Sequence, residues 1–145
     1  MIGILASIIL VAGQAADVSP APDDLQRWAD ATIQSNGWTR LLHRGSTVLL
    51  VQSAPAQPGS PNKYVWERYE SMPVDGLNFL SIVNYAEIDC IERRERIVEF
   101  KLFRDNNMTG PSDLNKPTPT WRLAGPTKFT PVNPDVAAVV NFACR

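Results

Sequence analysis

The residues best suited to chemistry lie in one short block, 87–96, which combines carboxylates, a cysteine and arginines. Its cysteine, Cys90, has a single possible partner in the chain, Cys144. A metal site would need more ligands than these two cysteines and the single histidine, His43, provide. A redox pair is usually close in sequence, as in Cys-x-x-Cys. We therefore predict a structural disulfide, Cys90–Cys144, worth about 4 kcal/mol because it closes a long loop.

The same block contains a pair of carboxylates that could exchange a proton. Glu87 and Asp89 are two residues apart, so on a strand they would share a face. Nothing in the sequence gives either group a reason for a raised pKa. His43 lies beside Arg44 in a strand-like run, a setting typical of surface histidines. No nucleophile elbow, phosphate loop or metal-ligand cluster is present, so we predict no enzyme activity and no cofactor.

Basic residues form the second candidate site. Two adjoining strands and their turn contribute the four that we predict to contact a partner: Arg93, Arg94, Arg96 and Lys101. They could bind acidic glycans or acidic segments of a protein. The alternative is a solvated, charge-balanced face, because Glu92, Glu95 and Glu99 are interleaved with them.

Length and composition limit the class to which the protein can belong. At 145 residues the chain is long enough for one domain with a real core. Hydrophobic content of 44% and charged content of 20% are ordinary for a globular protein. The net charge of −1 gives no field that would attract nucleic acid or an anionic membrane.

The first 15 residues, MIGILASIILVAGQA, are typical of a signal peptide. Their apolar run is too short to span a bilayer, and small residues precede the predicted cleavage site after Ala15. The alternative is a short buried helix. No cysteine lies near the cleavage site, so a lipid anchor is not predicted. We expect residues 16–145 to form a single domain in the periplasm, at the cell surface or outside the cell, where disulfides persist.

Hydrophobic periodicity predicts an α+β domain. A helix begins at Asp23 or Asp24, and a second begins at Asn133-Pro134, a cap followed by proline. Between them, alternating runs predict an antiparallel sheet of about five to six strands. The runs are 38–43, 47–52, 63–70, 78–90, 94–104 and 120–124.

Two details of this prediction concern the later strands. In the strand 94–104, simple alternation places Glu95 on the outer face, together with Glu99 and Lys101. The polar stretch Asp105–Pro119 is predicted to be a long loop, rich in turn-forming residues.

The second half of the chain resembles the surface-adhesin protein E family of exported bacterial proteins. The resemblance covers roughly Tyr64–Cys144 and rests on the order of its parts. These are the strand KYVWERYE (63–70), a strand Tyr85–Cys90 ending in Asp-Cys, a basic strand 93–104, a loop with Gly110, then Trp121 and a late cysteine. It implies an antiparallel sheet with helices packed against one side. It also implies an ability to dimerise and to bind extracellular-matrix proteins of a host.

Taken together, the residues and the resemblance predict an exported, non-enzymatic, adhesin-like protein that binds proteins or glycans through a sheet surface. One alternative is an envelope module of the periplasm without adhesion. The other is a binder of small ligands, or an enzyme, in which the segment Asp105–Pro119 closes over a pocket lined by Tyr85, Glu87 and Asp89.

Overall fold

The computed structural model describes residues 21–145, and the predicted signal peptide at 1–15 lies outside that range. Within this range the chain forms two helices and seven strands in the order α1, β1–β7, α2. Their bounds are α1 Pro22–Thr32, β1 Thr39–Arg44, β2 Thr47–Ser53, β3 Lys63–Ser71, β4 Ser81–Asp89, β5 Arg94–Asp105, β6 Thr109–Asn115, β7 Arg122–Leu123 and α2 Pro134–Ala143. The predicted α+β class is confirmed, with a helix at each end of an antiparallel sheet.

The sheet is a simple antiparallel meander. The strand order is β1-β2-β3-β4-β5-β6, so each of these strands pairs with its neighbour in sequence. The short strand β7 pairs with the first residues of β5, beyond the stretch of β5 that pairs with β6. β5 is therefore a central element that touches β4, β6 and β7.

The two helices lie on opposite faces of the sheet. In β2, the buried residues Val48 and Leu50 pack with α1, whereas Leu49 and Val51 belong to the core under α2. Side chains alternate along a strand, so adjacent residues must face opposite ways. The expectation from the family resemblance, helices against one side, is therefore wrong. Four apolar residues in succession at 48–51 are the sequence signal of this two-sided burial.

The segment Asp105–Pro119 is not a long loop, because β6 occupies Thr109–Asn115 within it. β6 pairs with β5, and the connecting turn places Asn107 and Met108 at positive φ. Almost all of β6 is exposed, and it contains Pro111. Proline is tolerated at a sheet edge, where its missing N–H breaks no ladder hydrogen bond. Composition predicted a loop here because an exposed edge strand needs no apolar alternation.

A β-bulge in β5 determines on which face of the sheet each basic side chain lies. Ala86 pairs with Ile97 while its neighbour Tyr85 pairs with Glu99, which leaves Val98 as the extra residue. The bulge reverses the alternation, so residues 94 and 96 share a face with 99 and 101. Glu95 consequently faces the core under α2 and is 0% exposed. The prediction that Glu95 faces outward is wrong for this reason.

The predicted disulfide is present. Cys90 and Cys144 are bonded, with their Cα atoms 5.6 Å apart and a sequence separation of 54. Cys90 follows β4 and Cys144 is the C-cap of α2, so the bond ties the end of the last helix to the turn between β4 and β5. At the other end of α2, the side chain of Asn133 accepts a hydrogen bond from the N–H of Val136, as a cap should.

Neither helix of the described part, residues 21–145, is long and apolar enough to cross a membrane.

Candidate binding face of the sheet

The face of the sheet on the α1 side is only partly covered. α1 lies over β2, where Leu25 and Ala29 pack with Val48 and Leu50. The connection 54–62 covers a second area. The hydroxyl of Tyr85 donates a hydrogen bond to the carbonyl of Pro55 (3.1 Å). Beyond these two covers, strands β3 to β6 and the residue before β7 present a surface that we call the open face. It consists of Trp66, Val83, Arg94, Arg96, Glu99, Lys101, Phe103, Leu114 and Trp121.

Arg94, Arg96 and Trp121 form a stacked group at one end of the open face. The guanidinium carbons of Arg94 and Arg96 lie 4.4 Å and 4.6 Å from the centroid of the Trp121 ring. Guanidinium groups stack favourably on indole rings at such distances. The stack forms because β7, which follows Trp121 directly, pairs with β5 at Arg94 and Glu95.

Carboxylates balance both arginines of the stack. Arg94 Nη2 lies 3.0 Å from Asp89 Oδ2, and Arg96 Nη2 lies 2.7 Å from Glu87 Oε2. These pairs join β5 to β4 and hold the guanidinium planes against the indole. A partner would therefore meet a planar, polar and locally neutral surface, which favours stacking and hydrogen bonding over long-range attraction.

Glu87 and Asp89 are occupied by contacts within the chain. Glu87 is buried and accepts hydrogen bonds from Asn62 Nδ2 (2.7 Å) and from Arg96. Asp89 accepts from the N–H groups of Ile91 and Glu92 in the turn. The Glu92 N–H foremost, and then Arg94, lower the pKa of Asp89 below its usual range. These roles are structural, and a lowered pKa does not suit a general acid.

The other two predicted site residues lie apart from the stack. Arg93 is exposed in the turn before β5, with φ of 50°, and its Nη2 donates to Asn141 Oδ1 on α2 (2.7 Å). It is therefore held toward the opposite side of the sheet. Lys101 is exposed on the open face, and its ammonium lies 5.1 Å from the centroid of the Phe103 ring. The fold thus brings Arg94, Arg96 and Lys101 together on one face and separates Arg93 from them.

An apolar pit lies next to Lys101. Its volume is about 180 Å³. The pit lies where β3, β4, β5 and β6 meet, and its lining residues are Trp66, Val83, Glu99, Phe100, Lys101, Phe103, Met108 and Leu114. Sequence reasoning missed this pit, because Met108 and Leu114 were assigned to a loop. An isolated leucine in a polar segment was the available signal.

A second depression lies on the α2 side, between the β1–β2 hairpin and the start of α2. It has a volume of about 430 Å³, and Tyr69 and Thr47 contribute to its wall. The ion pair between Arg44 Nη2 and Asp135 Oδ2 (2.7 Å) borders it and fastens the hairpin to α2. Burial raises the pKa of Tyr69, so its hydroxyl remains protonated.

Buried acids lie close to this second depression. Glu67 and Glu95 are both 0% exposed. Arg122 Nη2 donates a hydrogen bond to Glu95 Oε1, and Asn84 Nδ2 donates to Glu67 Oε2 (2.9 Å). Within residues 21–145, no group of three or more histidine, cysteine or acidic side chains is placed to hold a metal ion.

No protein-family model, curated protein or solved structure matches this chain.

Proposed function

We propose that this protein is an exported, non-enzymatic binding protein that meets a protein or glycan partner through the open face. The observation that carries the proposal is the Trp121 ring stacked with Arg94 and Arg96, on the same face as Lys101. Tryptophan and arginine are the residues most enriched among those that dominate binding energy at interfaces. Indole rings and guanidinium groups also suit the flat faces and hydroxyls of sugars.

The disulfide supports an oxidising, exported location, since such bonds are rare in reducing compartments. Placement in the periplasm or at the cell surface is part of the proposal, together with the signal peptide at 1–15. The resemblance to the surface-adhesin protein E family favours an adhesin-like role and a capacity to dimerise. These features belong to the proposal and rest on the order of motifs between Tyr64 and Cys144.

The test measures capture of three baits by the immobilised protein: solubilised extracellular matrix, heparin and an extract of its own cell envelope. Replacing Trp121 by Ala should weaken the affinity for whichever bait the wild type captures by at least about tenfold. This factor corresponds to about 1.4 kcal/mol of binding free energy. Arg94→Lys with Arg96→Lys should also weaken it, because lysine keeps the charge but loses the planar stacking surface. Arg104→Gln, at an exposed arginine at the end of the same strand, is the matched control and should change capture less than about twofold.

The identity of the captured bait distinguishes an adhesin-like protein from an envelope module. Matrix or heparin capture supports an adhesin-like protein, whereas capture from envelope extract alone supports a periplasmic envelope module. Circular dichroism first checks that the wild type and the Trp121→Ala variant are both folded. If the two proteins then capture the bait equally well, the open face is not the binding surface.

A further inference from the structure

The apolar pit has the dimensions of a receptor for one side chain. Its volume of about 180 Å³ is several times the roughly 30 Å³ that a water molecule takes up in the liquid. The rings of Trp66 and Phe103, with Val83, Met108 and Leu114, form most of its wall. Such a surface is poorly hydrated and gains from burying an apolar group.

The pit is open to solvent at the edge strand. Leu114 lies on β6 and is 57% exposed, although it lines the pit. β6 pairs only with β5 among the described strands. A side chain from another molecule can therefore enter without displacing a helix or strand of this one.

One charged side chain beside the pit, that of Lys101, forms no ion pair with the described residues. No carboxylate within residues 21–145 lies within 4.0 Å of the Lys101 ammonium. The neighbouring carboxylate, Glu99, lies 3.8 Å from Lys116 instead. The Lys101 ammonium is also placed against the Phe103 ring, which forms part of the pit wall. An occupant that carries a negative charge next to its apolar group would complement this arrangement.

We propose that the pit binds an aromatic side chain of a protein partner, with a carboxylate beside that side chain held by Lys101. This inference rests on the proposed function and names the kind of partner that it involves. The aromatic ring supplies apolar area that matches the pit. The carboxylate supplies the ion-pair partner that Lys101 lacks among residues 21–145. The partner is thus a protein segment in which an aromatic residue lies next to a carboxylate. That carboxylate belongs either to a neighbouring acidic residue or to the chain terminus, when the aromatic residue is the last one.

The experiment titrates three small probes into isotope-labelled protein and follows the NMR signals of the Trp66 indole N–H and the methyl groups of Met108 and Leu114. N-acetylphenylalanine has both ring and carboxylate, its amide has the ring alone, and N-acetylalanine has the carboxylate alone. We expect N-acetylphenylalanine to shift these signals with a Kd on the order of 1–10 mM, as suits so small a ligand. The amide should bind at least about threefold more weakly, and N-acetylalanine should leave the signals unmoved.

Variants locate the binding. Leu114→Ser, at an exposed position in the wall of the pit, should weaken the binding of N-acetylphenylalanine at least about fivefold. Lys101→Gln should remove the preference for the acid over the amide. Lys128→Gln is the matched control, because the Lys128 ammonium also lies near a ring, 5.4 Å from the Phe129 centroid, but does not line the pit. That variant should bind all three probes as the wild type does.

Three results would overturn the inference. The first is equal binding of the acid and the amide in the wild type. The second is unchanged binding in the Leu114→Ser variant. Bait capture that depends on Trp121 but not on Leu114 would also refute the pit while leaving the proposed function intact. Probe binding at the pit without capture of any bait would refute the proposed function instead.

Discussion

Glu67 and Glu95 place two carboxyl groups together inside the sheet face under α2, where neither side chain meets solvent. Glu67 Oε1 and Glu95 Oε2 are buried without a hydrogen-bond partner among the described residues. Burial, and next the Glu67 carboxylate, raise the pKa of Glu95 to about 9. Two adjacent buried carboxylates would repel each other, and this repulsion, like burial, favours the protonated form of Glu95.

This relationship predicts that the protein loses stability as pH rises from 5 to 8.5. An unfolded chain releases the Glu95 proton near pH 4.5, whereas the folded state keeps it until about pH 9. The stabilising contribution is complete below pH 4.5 and declines through this interval, with a slope of up to about 1.4 kcal/mol per pH unit. Urea denaturation at several pH values measures it.

A Glu95→Gln variant isolates the effect. Glutamine has nearly the same shape and cannot ionise, so the stability of the variant should depend much less on pH between 5 and 8.5. The lowered pKa of Asp89 acts at more acidic pH, and the raised pKa of Tyr69 acts at more alkaline pH, so neither contributes in this interval. Parallel pH profiles for the wild type and the variant would contradict the raised pKa of Glu95.

The second prediction concerns the buried ion pair under α1. Arg68 Nε donates to Glu70 Oε1 (2.5 Å), and Arg68 Nη1 and Nη2 donate to the carbonyl of Gln34 (2.8 Å) and to Asn107 Oδ1 (2.7 Å). Glu70 also accepts from Ser81 Oγ and from the N–H of Asn107. Because Arg68 and Glu70 are 1% and 0% exposed, Arg68→Met leaves a buried carboxylate without its cation. The loss should be about 3–5 kcal/mol of unfolding free energy.

A matched exposed pair is the control for this substitution. Arg27 pairs with Asp24 on the surface of α1, and Arg27→Ala should leave the urea midpoint almost unchanged, since exposed ion pairs contribute little. If both substitutions had equally small effects, the Arg68 network would not join β3, the segment after α1 and the β5–β6 turn in the way that its hydrogen bonds indicate.

The third prediction concerns the disulfide. Replacing Cys90 and Cys144 together by serine should reduce the unfolding free energy by about 4 kcal/mol in the chain-entropy model, for a separation of 54 residues. Reduction of the wild type should lower the urea midpoint to the same degree, and the double variant should not respond to reductant. A double variant as stable as the oxidised wild type would show that the rest of α2 already holds the C-terminus.

Local patterns in the sequence predicted the elements that local physics controls. Alternation at 63–70 predicted β3, and Asn133-Pro134 predicted the start of α2, because a cap and a proline act on neighbouring backbone groups. The disulfide was predictable for a different reason, since Cys90 has only one possible partner in the chain.

The candidate site depends on features that no local pattern specifies. The extra residue Val98 places Lys101 on the same face as Arg94 and Arg96 and turns Glu95 into the core. β6 completes the wall of the pit although its composition resembles a loop. Both arise from the pairing of β5 with other strands, and a one-residue change of register alters the facing of every later side chain.

The sequence by itself thus determined both helices, the strands other than β6, and which cysteines are joined. Only the tertiary structure decided which charges face solvent, because that depends on strand register and on which face each helix covers. The stack of Trp121 on Arg94 shows the reason: the two residues are far apart in the chain, and they meet only because β7 pairs with β5.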